Sequence, residues 1–215
     1  MSQPTPPRLV VMDVDSTLIT QEVVELLAAH AGSRDEVADI TERAMRGELD
    51  FTESLRARVA TLAGLPVSVL DAVLAEVVVT PGAVELLAEV DRRGWHVGVV
   101  SGGFAEVVQP LAARLGIPRT HANVLEVEHG ALTGRVAGEV VDRAVKARQL
   151  RAWAAELGVP MDRTVAIGDG ANDLDMIAAA GYGIAFNAKP VVRAQADAAV
   201  DDRLDAVLTL PPFAD

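Results

Sequence analysis

Two aspartates separated by one residue follow the first apolar run of the chain. Asp13 and Asp15 stand at the end of the run at 9–14 and are followed by Ser16 and Thr17. Residues two apart on an extended strand face the same side, so the two carboxylates lie together. One carboxylate can attack phosphorus, and the other can protonate the leaving oxygen and later deprotonate water. The pair therefore indicates phosphoryl transfer, although Asp-x-Asp alone more often caps a helix or a turn.

An acidic loop broken by glycines, residues 168–173, follows a later apolar run. Its carboxylates suit Mg2+, an ion that takes one or two protein carboxylates directly and keeps several waters. Asp13 and Asp169 are the best direct ligands, with Asp173 in support. A cation is also needed because carboxylates repel a phosphate unless an ion reverses the local charge. The alternative is a plain Gly/Asp turn that caps the next helix.

Two further stretches offer groups that can hold a phosphate. Ser101, Gly102 and Gly103 follow an apolar run and precede a helical pattern, so a hydroxyl and backbone N–H groups stand at a helix start. Lys146 can neutralise a non-bridging phosphate oxygen as charge builds. Taken alone, the first is equally a tight strand-to-helix turn, and the lysine is one of many solvated helix lysines.

The remaining pattern predicts the sheet that brings these stretches together. Short apolar runs alternate with helical patterns, which is typical of a mostly parallel sheet covered on both faces. Strands are predicted at 9–14, 95–100, 164–167, 184–186 and 198–200, with a hairpin inside 124–136 at His129-Gly130. Helices are predicted from Thr80 to Gly94, over 104–115, from Asp142 to Gly158 and over 172–180. The carboxyl ends of such strands meet at one crevice, so the distant motifs converge there.

Residues 20–78 differ from the rest because their pattern is entirely helical. Helix starts are predicted at Thr20, Ser33 and Asp50, the last two with a glutamate three residues later. Gly47 and Gly64 interrupt the segment. An all-helical insert after a first strand predicts two domains: a core of 1–18 and 79–215, and a helical cap of 19–78.

Composition excludes several classes of protein. The chain has 215 residues, a net charge of -12 and no cysteine, which rules out disulfides and thiolate chemistry. So acidic a chain is a poor partner for nucleic acid or for an anionic membrane. The proline-rich start, residues 1–7, does not resemble a signal peptide, and no run is long enough to span a bilayer, so we expect a cytoplasmic protein.

Together the motifs resemble those of the haloacid dehalogenase-like hydrolase superfamily, and the insert resembles that of its phosphoserine phosphatases. The superfamily motifs are matched at Asp13-Val-Asp-Ser-Thr, Ser101-Gly-Gly, Lys146 and Gly168-Asp-Gly-Ala-Asn-Asp. The narrower matches are Glu22 and the stretches 43–51, 54–59, 132–134 and 185–190. The resemblance covers roughly residues 9–190 and implies a Rossmann-like, doubly wound α/β core with a small helical cap inserted after the first strand.

The resemblance also implies a role for each site residue. Asp13 is the nucleophile and Asp15 the acid and base. Mg2+ is held by Asp13, the backbone carbonyl of Asp15 and Asp169, with Asp173 in support. The phosphoryl group is bound by Ser101, Gly102, Gly103 and Lys146, with Asn172 ordering the site. In the cap, Glu22 binds the amino group of O-phospho-L-serine, Arg58 binds its carboxylate, and Met45 and Phe51 shield the pocket.

Other interpretations remain open from sequence. Without the resemblance, Glu22 and Arg58 are ordinary surface charges, and Met45 and Phe51 are core residues. The same motifs suit a transferase that passes the phosphoryl group to another alcohol such as homoserine, or a phosphatase for another small phosphomonoester. A phosphate-binding module without activity is the remaining alternative, and the oligomeric state is undetermined.

Overall fold

The computed structural model describes residues 8–46 and 48–214, so the proline-rich start and the predicted break at Gly47 lie outside the described residues. Within them the protein is built on a seven-stranded sheet of order β4-β3-β2-β1-β5-β6-β7. The strands are β1 (Leu9–Met12), β2 (His96–Phe104), β3 (Arg119–Glu128), β4 (Ala131–Ala137), β5 (Thr164–Gly168), β6 (Tyr182–Phe186) and β7 (Ala198–Val200). Neighbouring strands are parallel except β3 and β4, which form the predicted hairpin.

The segment between β1 and β2 is helical, as predicted. It contains α1 (Val23–Ala31), α2 (Arg34–Met45), α3 (Phe51–Ala60) and α4 (Val69–Glu76). Its two connections to the sheet run side by side, because Thr20 N donates to Val78 O (3.0 Å) and Thr80 N donates to Leu18 O (2.9 Å). The insert therefore leaves and rejoins the sheet at one place.

The remaining helices cover both faces of the sheet, which confirms the doubly wound class. The helices are α5 (Ala83–Arg92), α6 (Ala105–Arg114), α7 (Arg143–Leu157), α8 (Leu174–Ala179) and the short α9 (Pro190–Arg193). Apolar side chains of α5 and α6 join one core, and those of α7 and α8 join the other. None of the helices in the described ranges combines the length and apolar character needed to cross a bilayer.

Strand β1 is the centre of both cores. Val10 and Met12 face one core and Leu9 and Val11 the other, because successive side chains of a strand point to opposite faces. A strand buried on both faces has to be apolar throughout, which is why this segment appears as an unbroken apolar run.

Two predicted helix starts are confirmed by their hydrogen bonds. The Asp50 carboxylate accepts from Glu53 N (2.8 Å) at the start of α3. The Asp142 carboxylate accepts from Val145 N (2.9 Å) at the start of α7, the helix that carries Lys146. Both are ordinary N-caps that satisfy an otherwise unpaired amide.

Three other predicted helix starts are wrong, two in the residue that precedes the helix and one in the hydrogen bond that its side chain makes. Residue Glu22 rather than Thr20 precedes α1, because the Thr20 backbone pairs with the returning chain. Gly82 rather than Thr80 precedes α5. Ser33 does precede α2, but its hydroxyl donates to the Thr61 hydroxyl (3.1 Å) instead of capping the helix.

Candidate active site

The candidate site lies where β1, β2 and β5 end, beside one another in the sheet. Asp13 follows β1, the Ser101 stretch lies near the end of β2, and Asp169 follows β5. The carboxyl ends of adjacent parallel strands in an open α/β sheet form such a crevice. The motifs that are distant in sequence thus lie together.

Lys146 lies at the bottom of this crevice and is fully buried. Its Nζ donates to Asp13 Oδ2 (2.5 Å) and to Asp173 Oδ1 (2.7 Å). Burial alone lowers the pKa of Lys146, but the charges of Asp13 and Asp173 outweigh burial and raise it. Lys146 is therefore a permanent cation that crosslinks α7 to both acidic motifs, in contrast to the solvated lysine that the sequence also allowed.

Asp13, Asp169 and Asp173 form a buried carboxylate cluster whose ligand atoms lie within 4.8 Å of one another. Burial raises the pKa of Asp13 to about 7, and the charge of Asp173 adds to this effect. Burial and the charge of Asp173 also raise the pKa of Asp169 well above its usual range. Burial and mutual repulsion disfavour the charged forms of these carboxylates, and a bound cation would stabilise those charged forms. The donor set therefore fits a hard divalent metal ion.

Backbone and hydroxyl groups hold this cluster in place. Asp173 Oδ2 accepts from the backbone N–H groups of Asp169 and Gly170, both at 3.1 Å. The Thr17 hydroxyl donates to Asp169 Oδ1 at 3.2 Å and is completely buried. Asp173 thus orders the loop that carries Asp169.

Asp15 lies two residues after Asp13, and its Oδ1 is buried with no hydrogen-bond partner among the described residues. Burial, followed by the charges of Glu22 and Asp13, raises its pKa well above the usual range. A raised pKa makes a carboxyl group hold its proton more firmly than a free aspartate does, which suits a general acid.

The Ser101 stretch differs from the predicted strand-to-helix turn because β2 continues through it to Phe104. Ser101 is buried, and its Oγ accepts from Gly103 N at 2.8 Å. Its hydroxyl hydrogen therefore remains available to a ligand oxygen. A Cβ on Gly103 would lie 2.9 Å from Asp15 Oδ2, so the backbone approaches the acid closely.

The insert covers the crevice and leaves a small cavity of about 20 Å³ between them. This cavity is lined by the four insert residues that were named from the sequence. Residues of the acidic and glycine motifs in the core line it as well. The cavity is lined by Asp13, Asp15, Glu22, Val24, Met45, Phe51, Leu55, Arg58, Gly102, Gly103, Asp169 and Asn172. Glu22 and Arg58 thus line the cavity, in contrast to the surface charges that the sequence also allowed.

Arg58 is 2% exposed and is held by two hydrogen bonds. Its Nε donates to Ser54 O (3.1 Å) and its Nη1 to Thr41 Oγ1 (3.0 Å), while Nη2 has no partner among the described residues. Across the cavity lining, Glu22 Oε1 accepts from the Ser16 hydroxyl (2.6 Å). Burial raises the pKa of Glu22, and Ser16 opposes the shift. The site therefore holds a guanidinium donor and a carboxylate acceptor.

Two threonines support the site through hydrogen bonds. Thr41 is buried on α2 and donates to Val37 O (2.8 Å), which leaves an oxygen lone pair for Arg58. Thr17 holds Asp169 across 152 positions of sequence. Thr41 lies in no pattern that differs from that of an ordinary helix threonine, whereas Thr17 belongs to the motif that begins at Asp13.

Comparison with known proteins gives consistent matches. The family model described as haloacid dehalogenase-like hydrolase matches residues 10–178. A phosphoserine phosphatase of Streptomyces coelicolor is 64% identical over 94% of this chain, and one of Mycobacterium tuberculosis is 56% identical over 94%. This chain spans only 50% of the length of each of those two relatives. A phosphoserine phosphatase of Streptococcus thermophilus is 57% identical over 87% of both chains.

Solved structures agree with the family match. A substrate-bound phosphoserine phosphatase complex superposes with a TM-score of 0.93 at 39% identity, covering 95% of this chain and 98% of the other. A phospho-aspartyl intermediate analogue of phosphoserine phosphatase gives 0.93 at 40% identity, covering 95% and 99%.

Proposed function

The chain belongs to the haloacid dehalogenase-like hydrolases, and on this basis we propose that it hydrolyses O-phospho-L-serine to L-serine and phosphate with Mg2+. One observation carries the proposal. A single cavity holds a buried carboxylate pair for phosphoryl transfer on its core side and both Glu22 and Arg58 on its insert side. That combination suits a phosphomonoester that also bears an ammonium and a carboxylate. The reaction would complete the synthesis of serine.

In the first half of the reaction, Asp13 attacks phosphorus and the bond to the serine oxygen breaks. Asp15 gives its proton to that oxygen, which leaves as the serine hydroxyl. The raised pKa of Asp15, caused mainly by burial, supports this role because it favours the protonated form of the acid. The phospho-aspartyl analogue solved for a similar phosphatase supports the covalent intermediate.

In the second half, the Asp15 carboxylate removes a proton from water, and the resulting hydroxide attacks the aspartyl phosphate. Phosphate leaves, Asp13 regains its carboxylate and Asp15 regains its proton. Lys146 and the Ser101 hydroxyl hold non-bridging oxygens, as does the backbone N–H of Gly102. Asn172, which lines the cavity with Oδ1 unpaired among the described residues, helps to order the reactants.

We assign Mg2+ to the carboxylate cluster, with Asp13, Asp169 and the Asp15 carbonyl as ligands and Asp173 in support. The raised pKa values of Asp13 and Asp169, both caused first by burial, support a cation at this place. When bound, the ion neutralises charge between the carboxylates and the phosphoryl group. Glu22 receives the substrate ammonium, Arg58 its carboxylate through the free Nη2, and Met45 and Phe51 exclude water.

We further propose that residues 19–78 act as a cap domain on a core of 1–18 and 79–215. The paired connections at Leu18–Thr20 and Val78–Thr80 support these bounds, because both crossings lie at one hinge-like site. Closure of such a cap keeps bulk water away from the intermediate until serine has left.

The test is phosphate release from L-phosphoserine with Mg2+ and with EDTA, beside phosphoethanolamine, phosphoglycolate, phosphothreonine and an aryl phosphate. Fast, EDTA-sensitive release that favours phosphoserine supports both the chemistry and the cap assignment. Release from the aryl phosphate alone retains Asp13 as nucleophile and contradicts the roles of Glu22 and Arg58. Product analysis with homoserine present distinguishes hydrolysis from transfer, since transfer yields phosphohomoserine.

A further inference from the structure

Strand β2 carries a bulge at the Gly102–Gly103 peptide. Ser101 is paired with Ala122 of β3, and Phe104 is paired with the next residue, Asn123. Two residues of β2 therefore have no counterpart on β3. Bulges are frequent beside active sites, where they redirect backbone groups. Here both bulge residues, Gly102 and Gly103, line the cavity of the candidate site.

This peptide lies between two glycines, so side chains do not restrain its orientation. Neither position has room for a Cβ, which would come within 2.8 Å of Phe51 Cζ at Gly102 and 2.9 Å of Asp15 Oδ2 at Gly103. The restraint has to come from hydrogen bonds to the peptide itself.

Asn123 supplies that restraint. Its Nδ2 donates to Gly102 O at 2.8 Å, and the N–H of the same peptide, on Gly103, donates to Ser101 Oγ at 2.8 Å. Asn123 is 2% exposed, so water does not replace these contacts. A continuous chain of hydrogen bonds thus runs from Asn123 through one peptide unit to the Ser101 hydroxyl.

The other end of the same amide faces the helix of Lys146. Asn123 Oδ1 accepts from Val141 N at 2.8 Å, and Val141 immediately precedes Asp142, the cap of α7. An amide can donate to a carbonyl and accept from an N–H at the same time, which a carboxylate or an aliphatic side chain cannot do.

We propose that Asn123 is a positioning residue for phosphoryl transfer, which fixes the Gly102–Gly103 peptide and through it the Ser101 hydroxyl, in register with the helix of Lys146. The proposal rests on the proposed function, in which these groups hold the phosphoryl oxygens. Asn123 itself does not line the cavity.

The decisive variant is Asn123→Asp, which keeps the acceptor for Val141 N but removes the donor and repels Gly102 O. We expect kcat/KM for L-phosphoserine to fall at least tenfold and the dissociation constant of inorganic phosphate, measured by calorimetry with Mg2+, to rise at least fivefold. Asn187→Asp is the matched control, because Asn187 Oδ1 accepts from Asp202 N at an exposed turn, and we expect changes below twofold.

A double-mutant cycle with Ser101→Ala separates positioning from general damage. If Asn123 acts through Ser101, Asn123→Asp costs less than threefold in the Ser101→Ala background. An equal loss in both backgrounds, or an Asn123→Asp variant within twofold of the wild type, overturns the inference. If Asn123→Asp does not fold, Asn123→Ala enters the same cycle. A wild type that binds phosphate but hydrolyses nothing contradicts the proposed function alone.

Discussion

At the scale of single residues, the site depends on charges that are buried together. Asp13 shares Lys146 with Asp173, and its pKa is raised to about 7 chiefly by burial. Its carboxylate is both the proposed nucleophile and a metal ligand. Asparagine has the same shape but neither the charge nor the nucleophilic oxygen, so it tests these roles with little change in packing.

We predict that Asp13→Asn lowers turnover of L-phosphoserine by about 10⁴-fold or more, the size of loss typical when a nucleophile is removed. The measurement is phosphate release at saturating substrate, with circular dichroism to verify folding. Asp175→Asn is the control, since Asp175 pairs with Arg143 at the surface. Turnover within tenfold of the wild type would show that another group attacks phosphorus.

Thr41 gives a more selective test of the substrate assignment. Thr41→Val removes the acceptor of Arg58 Nη1 with little change in shape and leaves a buried guanidinium N–H unpaired. We predict that KM for L-phosphoserine rises about tenfold, equal to about 1.4 kcal/mol, while KM for phosphoethanolamine, which lacks the carboxylate, is unchanged.

Two variants control this prediction. Thr41→Ser keeps the hydroxyl and should restore most of the affinity. Thr209→Val removes an exposed hydroxyl that donates only to Ala206 O and should have no effect. An equal rise of KM for both substrates would mean that Thr41 supports the fold and not the carboxylate contact.

These residues also show why part of the site was predictable from the sequence. Asp13 and Asp169 each follow an apolar strand, so strand order alone places them at one crevice. Thr41 and Asn123 act through a partner that is remote in sequence, Arg58 at 17 positions and Gly102 at 21. Their roles depend on tertiary packing, for which the chain has no local pattern.

At the scale of elements, the contact between α3 and β4 fixes the insert against the sheet. Gly134 of β4 has a φ of 81°, and a Cβ there would lie 2.9 Å from Ala63 Cβ and 3.2 Å from Ala60 O. The loop after α3 continues this contact, because Gly64 N donates to Leu132 O (2.9 Å) and Leu132 N to Leu65 O (2.8 Å). The helix that carries Arg58 is thus held by the hairpin.

We predict that Gly134→Ala lowers the free energy of unfolding by about 2–4 kcal/mol, from the left-handed backbone and the steric clash together. Gly130→Ala is the matched control, since Gly130 has a φ of 79° with nothing within 4 Å of the added Cβ. It should cost about 1 kcal/mol. Urea unfolding measures both, and equal losses would contradict the proposed importance of the α3 contact.

At the ends of helices, local sequence patterns predict only some of the capping hydrogen bonds correctly. The N-caps predicted at Asp50 and Asp142 are correct, because each carboxylate accepts from the backbone amide three residues later. Ser33 follows the same spacing rule, but the Thr61 hydroxyl of the neighbouring turn lies within reach and takes its hydrogen bond. Tertiary contacts therefore decide which of several equivalent local signals is used.

At the scale of the whole molecule, the net charge of -12 opposes an anionic substrate. The site adds to this repulsion, because several carboxylates lie near the buried cations Lys146 and Arg58. Surface charge is screened over about 8 Å at physiological salt, so attraction has to be local. A bound divalent cation is the simplest source of that attraction.

We expect a metal ion bound at this cluster to stabilise the fold as well as to serve the proposed reaction. The cluster of Asp13, Asp169 and Asp173 exists only in the folded chain, so we expect Mg2+, the proposed ion, to bind the folded state preferentially. At a concentration of about 100 times its dissociation constant, the ion adds about 2.7 kcal/mol to the free energy of unfolding. For a protein of this size, that corresponds to a Tm increase of about 5–10 °C.

We therefore predict that Mg2+ raises the Tm by this amount, that EDTA reverses the rise, and that Asp169→Asn abolishes most of it. Asp175→Asn should respond to Mg2+ like the wild type, because its carboxylate lies at the surface in an ion pair with Arg143. NaCl at matched ionic strength controls for screening of the acidic surface, which stabilises every variant alike. If Asp169→Asn shows the full rise, Mg2+ acts on surface charge and the carboxylate cluster is not its site.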